Sequence, residues 1–458
     1  MTLKHLISIL GAGLLWSGCV TDPPYARPPA PVAGQFPGHA ATQPGTNAAA
    51  DLAWRDFFAD ERLKKLIELA LANNRDLRVA ALNVEQSRAQ YRITKADSYP
   101  GAQAAGSYTR SGNSRATTDQ WNASVGTTSY ELDFFGHVRS LNSQALENYF
   151  ATEEARRSSQ ISLVAEVATQ YFTQRQLEEQ IQVTRQTLTA VEESYRVNRI
   201  RFDVGENNEL DLRSSEGQVQ TARINLSSYQ RQLAQAINYL VLLVGQPLPD
   251  DLPAPRAFGD TNLVAEIPAG LPSDLLQRRP DLLEAEHTLK AANANIGAAR
   301  AAFFPTISLT ASTSSSSAQL AELFSAGTGM WSFSPQISVP IFTGGRNRAN
   351  FDAAKISARI EVANYEKAIQ TAFREVADAL AGSSGYREQL PQQQALVNAQ
   401  QRRLELATLR YRNGEDSYLN ELSAQQDLFN AQQGLLQLQF NILSSDITLY
   451  KTLGGGWK

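Results

Sequence analysis

Two stretches of ten residues decide the fold: Arg201-Phe202-Asp203-Val204-Gly205-Glu206-Asn207-Asn208-Glu209-Leu210 and Arg410-Tyr411-Arg412-Asn413-Gly414-Glu415-Asp416-Ser417-Tyr418-Leu419. They share an aromatic residue, a glycine, a glutamate and a leucine at matching places, 209 residues apart. An upstream block that begins Asp76-Leu77 returns as Asp281-Leu282 after 205 residues. A nearly constant offset over tens of residues indicates a tandem duplication of a unit of about 200 residues.

Each glycine of the two stretches is predicted to join two long antiparallel helices. No Gly or Pro occurs between Gly136 and Gly205, so one helix of about 100 Å is possible at 1.5 Å per residue. A return helix is predicted over 210–244. The second copy repeats this plan around Gly414, with an interruption expected at 382–385 and at Pro391. The apolar residues of the first helix form a narrow stripe, typical of a coiled-coil seam: Ile161, Leu163, Val164, Val167, Ala168, Tyr171, Phe172, Leu177, Ile181 and Val183.

Each copy also carries a shorter helix and a β-hairpin. Helical spacing of apolar residues predicts helices over 61–96 and 273–302. Residues 101–135 and 306–342 are rich in Ser, Thr and aromatics and predict hairpins whose strands have about the length of a tilted bilayer-crossing strand. The predicted organisation is a first repeat over 51–255, a linker over 256–272 and a second repeat over 273–458.

The N-terminus reads as an export signal. Lys4 and His5 precede a short apolar run, which predicts a signal peptide over 1–18. Cys19, the only cysteine, follows Ser-Gly and resembles the lipid-bearing residue of a bacterial lipobox, although Trp16 stands where an aliphatic residue is usual. We expect fatty acyl chains, palmitate among them, on Cys19; the alternative is an ordinary signal peptide with an incidental cysteine. The Pro- and Ala-rich residues 19–50 predict an extended tether.

Composition argues against several function classes. Charged residues make up 19% of the chain and the net charge is −4, which gives no basis for nucleic-acid binding. The four histidines are scattered and lack metal-ligand spacing, so no metal site, cofactor or catalytic residue is predicted. The chain is not expected to be an enzyme.

The predicted strands call for assembly. An open strand edge is not tolerated in lipid, and four strands per chain cannot close a useful barrel. Two chains would supply eight strands and three would supply twelve, and barrels of both sizes occur.

The chain resembles the outer-membrane efflux factor (TolC-like) family, in its lipoprotein branch that works with resistance-nodulation-division pumps. The resemblance is carried by these segments: Cys19, Asn74-Arg75-Asp76-Leu77, Tyr130-Glu131-Leu132-Asp133-Phe134-Phe135-Gly136, Arg279-Pro280-Asp281-Leu282, Phe304-Pro305, Pro340-Ile341-Phe342-Thr343-Gly344-Gly345, Tyr411-Arg412-Asn413-Gly414 and residues 449–457. It implies a mixed α/β membrane protein: a homotrimer with a twelve-stranded outer-membrane β-barrel continuous with a long α-helical periplasmic barrel.

By this resemblance the protein is a passive exit duct for drugs or other small toxic compounds, and so contributes to antibiotic resistance. An inner-membrane efflux pump drives export through a periplasmic adaptor protein. The lipid-anchored chain lies in the bacterial outer membrane, against its lipid, with its helices in the periplasm. The tip turns, with Gly205, Glu206, Gly414 and Glu415, are then where the adaptor docks.

The resemblance also implies residues that close the tip. Matched by position, they are Leu210 and Asp211 in the first copy, and Tyr411 and Leu419 in the second. The family often has an Asp three to four residues after that Leu; this chain has Ser423 there and Glu421 nearby, so an acidic constriction would use Asp211 or Glu421 instead.

Two other functions remain open at this point. A lipid-anchored periplasmic coiled-coil scaffold would share the long helices but would not need the two hairpins. An outer-membrane duct for secreted proteins would need both.

Overall fold

The computed structural model describes residues 23–36, 51–260, 264–265 and 272–457. The predicted signal peptide, Cys19, part of the tether and part of the linker lie outside the described residues. Within the described chain, no helix combines the length and apolar content needed to cross a lipid bilayer. The chain divides into two compact units: the first takes Met1–Pro31, Leu82–Ala155 and Asp281–Ala368, and the second takes Val32–Ala81, Arg156–Pro280 and Ile369–Lys458.

The regular elements follow the duplicated plan. In chain order they are α1 (Trp54–Phe57), α2 (Glu61–Asn73), α3 (Arg75–Ala96), β1 (Ala102–Gly112), β2 (Thr117–Thr127), β3 (Tyr130–Glu131), α4 (His137–Asp203), α5 (Glu209–Val244), α6 (Pro272–Arg278), α7 (Pro280–Ala301), β4 (Thr306–Ser317), β5 (Gly329–Ser338), α8 (Arg346–Arg412) and α9 (Tyr418–Thr452). A short 3₁₀ turn, Leu320–Glu322, lies between β4 and β5.

The strands of both copies form one antiparallel sheet in the first unit. β1 pairs with β2, β2 with β4, and β4 with β5, so the two hairpins meet at the β2–β4 pair. The short β3 pairs with β4 on the same side as β2, which makes β2 and β3 one interrupted strand. β1 and β5 lie at the two outer edges, and all their residues are exposed.

The shorter helix of each copy is broken where the sequence predicted one helix. Asn74 is extended and separates α2 from α3, and its side-chain carbonyl caps α3 by accepting from the Leu77 N–H at 2.9 Å. Arg279 separates α6 from α7, because it precedes Pro280 and a residue before proline disfavours the helical conformation.

The predicted interruption of the second long helix is wrong. α8 runs unbroken through residues 382–385 and Pro391, since one proline removes only one backbone hydrogen bond. The small residues serve packing instead. A Cβ on Gly382 would lie 3.0 Å from the Ser445 hydroxyl oxygen, and Ser383 donates to Asp446 at 2.8 Å, so α8 and α9 approach closely there.

The second unit has an aromatic core. Phe57 stacks on Tyr450 with ring centroids 4.1 Å apart, and Phe58 meets Phe57 edge-on. The hydroxyl of Tyr450 donates to the Leu52 carbonyl at 2.5 Å. Aromatic side chains bury large areas of apolar surface. This cluster therefore packs the beginning of the first copy against α9, the last helix of the second copy.

The N-terminal segment crosses α7 in the first unit. Asn293 donates from its side-chain amide to the Pro23 carbonyl at 2.9 Å. Arg27 pairs with Glu286, which is almost fully buried and also pairs with Lys290 at 3.1 Å. Residues 23–27 are therefore held to the helix surface.

Candidate functional site at the two helical turns

The two predicted tip turns, both in the second unit, have the same backbone geometry. Gly205 and Gly414 have φ of 79° and 75°, a left-handed conformation that glycine adopts without strain. The N–H of Glu206 donates to the Arg201 carbonyl at 2.8 Å, and that of Glu415 donates to Arg410 at 2.9 Å. These are the hydrogen bonds by which a glycine ends a helix and reverses the chain.

The helices that follow the turns begin differently. Asn208 caps α5: its side-chain oxygen accepts from the Asp211 N–H at 2.8 Å, and its amide donates to the Asp211 carboxylate at 3.1 Å. The corresponding Ser417 makes no side-chain cap on α9. There Asp416 accepts from the Asn420 amide and the Ser417 N–H, and these hydrogen bonds lower the pKa of Asp416.

Tyr411 is held by side chains of α4. Its hydroxyl donates to the Asn198 side-chain oxygen at 2.6 Å. The Arg201 guanidinium carbon lies 5.0 Å from the centre of the Tyr411 ring, in reach of a cation–π interaction. The ring of Tyr418 is 5.5 Å away and tilted. Burial raises the pKa of Tyr411, so its hydroxyl stays protonated and can donate at neutral pH.

Glu421 is a buried carboxylate. It is 5% exposed and accepts a hydrogen bond of 3.0 Å from the Thr408 hydroxyl on α8. Burial raises the pKa of Glu421, against the opposing effect of Thr408 and of Arg412 and Arg201. The corresponding residue of the first copy, 209 positions earlier, is the buried Leu212, so this seam position became acidic in only one copy.

Of the remaining predicted gate residues, Asp211 lies near Tyr411 and Tyr418, whereas Leu210 and Leu419 are exposed. Leu210 and Leu419 are 74% and 66% exposed and lie outside the buried core of the chain. Ser423 accepts from Arg403, which also pairs with Asp427. Asp211 lies close enough to Tyr411 and Tyr418 for its charge to raise the pKa of both.

The residues predicted to dock the adaptor are exposed on the turns. Gly205, Glu206, Gly414 and Glu415 are all exposed, and nothing lies within 4 Å of a Cβ placed on either glycine. The turns therefore present a free surface in one chain.

Sequence reasoning missed Asn198, Thr408 and Tyr418. One signal was available for Asn198: it lies seven residues after Val191, which belongs to a buried cluster, and so occupies a seam position with a polar side chain. Among the described residues, no group of three or more His, Cys, Asp or Glu side chains could hold a metal ion.

Known proteins with similar sequences identify the family of this chain. Residues 66–246 and 271–455 match the family model of the outer membrane efflux protein. The chain is 50% identical to the probable efflux pump outer membrane protein TtgC of Pseudomonas putida, over 99% of this chain and 96% of that protein. It is 44% identical to the cation efflux system protein CusC of Escherichia coli, over 97% of each.

A solved structure shares the fold. The open state of the Neisseria gonorrhoeae MtrE outer membrane channel is 39% identical, with a TM-score of 0.89 over 96% of this chain and 99% of that one. Such channels are mainly helical with a small sheet, as is this chain. These similarities confirm the family that the sequence motifs predict. The chain belongs to the outer membrane efflux protein family.

Proposed function

We propose that the protein is the outer-membrane duct of a tripartite efflux system. Three chains form a twelve-stranded barrel in the outer membrane and a helical tunnel in the periplasm. Export is passive at this stage, because the inner-membrane pump supplies the energy. No step of it requires catalysis or a cofactor.

The observation that carries this proposal is the pair of open sheet edges. β1 and β5 each pair with one strand only among the described residues, and both are exposed along their full length. Unpaired backbone groups are costly in lipid, so a membrane sheet must close on itself. Pairing β1 of one chain with β5 of the next chain gives the backbone groups of both edges hydrogen-bond partners. Three chains then supply an even number of strands.

The tip turns are the proposed docking site for the periplasmic adaptor. Their glycines and glutamates are exposed, and the turns have the same backbone geometry in both copies. A ring of similar turns would offer the adaptor repeated, equivalent contacts.

The proposed cargo is small organic toxicants such as antibiotics and solvents. Relatives carry names that refer to toluene, antibiotic and cation efflux. We favour organic cargo because the relatives named for antibiotic and toluene efflux are 50% and 49% identical to this chain, whereas the relative named for cation efflux is 44% identical.

A lipid on Cys19 completes the proposal. One acyl chain gives only marginal membrane binding, whereas several anchor a protein stably. Mass spectrometry of the N-terminal peptide tests this directly: a mass increase equal to a diacylglyceryl group plus a fatty acid is expected, and an unmodified Cys19 would contradict it.

The decisive experiment measures the purified protein in planar bilayers and its mass in mild detergent. A trimer that inserts and conducts is expected. In cells that lack their own efflux duct, the gene should restore antibiotic and solvent tolerance only when pump and adaptor are present. A monomer that never conducts would support a periplasmic scaffold, and secretion of a protein without drug tolerance would support a protein duct.

A further inference from the structure

The antiparallel register places the strand side chains on two chemically different faces of the sheet. Directly opposite residues share a face, and successive residues of a strand alternate between faces. The aromatic side chains of β1–β5 all fall on one face, where the ring centroids of Tyr108 and Trp121 lie 4.4 Å apart. Trp331, Phe333 and Ile337 of this face are 82%, 61% and 66% exposed. In a membrane barrel such an apolar face contacts lipid, and the opposite face lines the lumen.

The opposite face is rich in hydroxyls and amides, mostly of serine, threonine and glutamine. The hydroxyl oxygens of Ser312 and Ser332 lie 2.8 Å apart. The Gln120 amide donates to the Ser316 hydroxyl at 3.1 Å. Among the described strand residues, this face carries a single charged side chain, Glu131 of β3. The lumen wall is therefore polar but, apart from Glu131, uncharged.

Glu131 lies at the end of the sheet from which the helices leave. β3 ends at Glu131, and α4 begins at His137. The His137 Nδ1 lies 3.3 Å from a carboxylate oxygen of Glu131 and holds that side chain at the junction. An imidazole cancels the charge of a carboxylate only when it is itself protonated. Asp133, also between β3 and α4, differs because the Arg139 guanidinium lies 3.3 Å from it and compensates its charge.

The charges on the lipid-facing side compensate each other. Arg110 and Asp119 lie directly opposite one another on β1 and β2, and the Arg110 Nε lies 3.6 Å from the Asp119 carboxylate. Apart from this pair, the described strand residues of that face are uncharged. Glu131 is then the one charge that the described strands give to the lumen wall.

We propose that Glu131 determines the charge preference of the barrel. In a trimer it forms a ring of three carboxylates at the base of the lumen, which admits cations and cationic small molecules more readily than anions. A ring of acidic side chains raises the local concentration of cations, as in cation channels. This inference rests on the proposed function, since the lumen exists only if three chains close a barrel.

The test measures the reversal potential of the full chain in planar bilayers across a gradient of potassium chloride, at about pH 8, where imidazoles are neutral. Glu131→Gln removes the charge and keeps the shape. Ser308→Lys leaves Glu131 in place and sets an ammonium group opposite it. Asp119→Asn is the matched control, because it removes a carboxylate from the lipid-facing side of the same sheet. The tip turns are unchanged in every variant, so a difference between variants reports the barrel.

We expect Glu131→Gln to lower the ratio of potassium to chloride permeability at least about twofold in about 10 mM salt. The Debye length is then about 30 Å, so the field of the ring extends into the lumen. Ser308→Lys should lower the ratio by a similar factor. In about 1 M salt, where the Debye length is about 3 Å, the variants should converge with the wild type. Asp119→Asn should match the wild type at both salt concentrations.

The outcomes separate the two claims. A wild type that forms no pore overturns the proposed function and this inference with it. A wild type that conducts, while either Glu131→Gln or Ser308→Lys leaves the permeability ratio unchanged, overturns the inference alone. An Asp119→Asn variant that lowers the ratio as much does the same. If Glu131→Gln fails to assemble, Ser308→Lys decides the question, because it keeps the contact between Glu131 and His137.

Discussion

The side-chain amide of Asn74 donates a hydrogen bond of 2.9 Å to the Leu243 carbonyl at the end of α5. In the second copy Arg279, 205 residues later, donates to the Thr452 carbonyl, 209 residues later, at 3.0 Å. Different side chains thus make the same connection at equivalent places. The break between the short helices of each copy is therefore also the point at which the end of that copy is fastened.

A glycine lies two residues after each of these carbonyl groups, and the first prediction concerns these two glycines. Gly245 and Gly454 have φ of 76° and 84°, and a Cβ on them would lie 2.4 Å from the Asn73 carbonyl oxygen and 2.7 Å from that of Arg278. Gly245→Ala and Gly454→Ala should each destabilise the fold by at least about 2 kcal/mol, through strain and steric overlap. Thermal unfolding followed by circular dichroism measures this.

Gly217→Ala is the control for that pair. Gly217 lies within α5, and nothing lies within 4 Å of a Cβ placed on it. Alanine there should stabilise the helix by about 0.5–1 kcal/mol. Equal losses at all three glycines would contradict the argument from close approach.

The second prediction concerns pH and Glu421. Because burial raises the pKa of Glu421 above its ordinary 4.5, the folded tip favours the protonated carboxyl. The contribution of Glu421 to tip stability is then greatest in acid and falls as the pH rises from about 4.5 through its folded-state pKa. Hydrogen exchange of the α8 and α9 ends, corrected for intrinsic rates, should show protection decreasing over this window.

Glu421→Leu should remove that dependence, since Leu212 already occupies the equivalent position in the first copy. Glu415→Leu is a suitable control, because Glu415 is exposed on the turn. A pH dependence that survives in Glu421→Leu would assign it to another group.

The third prediction concerns Asp60, which is 1% exposed. One carboxylate oxygen caps α2 by accepting from the N–H groups of Arg62 and Leu63, and the other accepts from the Tyr171 hydroxyl at 2.8 Å and the Arg256 N–H at 3.1 Å. Asp60→Ala should cost roughly 2–4 kcal/mol, from a lost cap and buried donors without partners. Tyr171→Phe, which removes one donor, should cost clearly less in the same thermal assay.

The fourth prediction concerns the N-terminal segment. Burial raises the pKa of Glu286, but Arg27 and Lys290 together outweigh this and lower it, so their contribution to stability is present at neutral pH and is lost in acid. Arg27→Ala should expose residues 23–31 to limited proteolysis at pH 7 without unfolding the helices. Arg402→Ala breaks an exposed pair with Glu405 and should leave the digestion pattern unchanged.

The sequence predicted the repeated turns well because their signal is local. A left-handed glycine between two amphipathic helices needs no tertiary information, and Gly205 and Gly414 lie at the predicted turns. Pro391 misled because local propensity favours a break there, whereas α8 continues through it with the loss of only one backbone hydrogen bond.

Residues whose roles depend on distant partners were out of reach. Asn198 meets Tyr411 across 213 positions and Arg27 meets Glu286 across 259, and no spacing rule connects them. The segment around Arg27 is rich in proline, which indicates an extended chain but not the helix that it lies against.

The two copies carry different residues at one equivalent seam position, Leu212 in the first and Glu421 in the second. In the first copy, Leu212 makes an apolar packing contact whose contribution to stability does not depend on pH. The second copy carries the ionisable Glu421 at this position; burial raises its pKa, and Thr408, Arg412 and Arg201 oppose this. The duplication thereby places a pH-independent apolar contact and a pH-sensitive one at equivalent positions of a single chain.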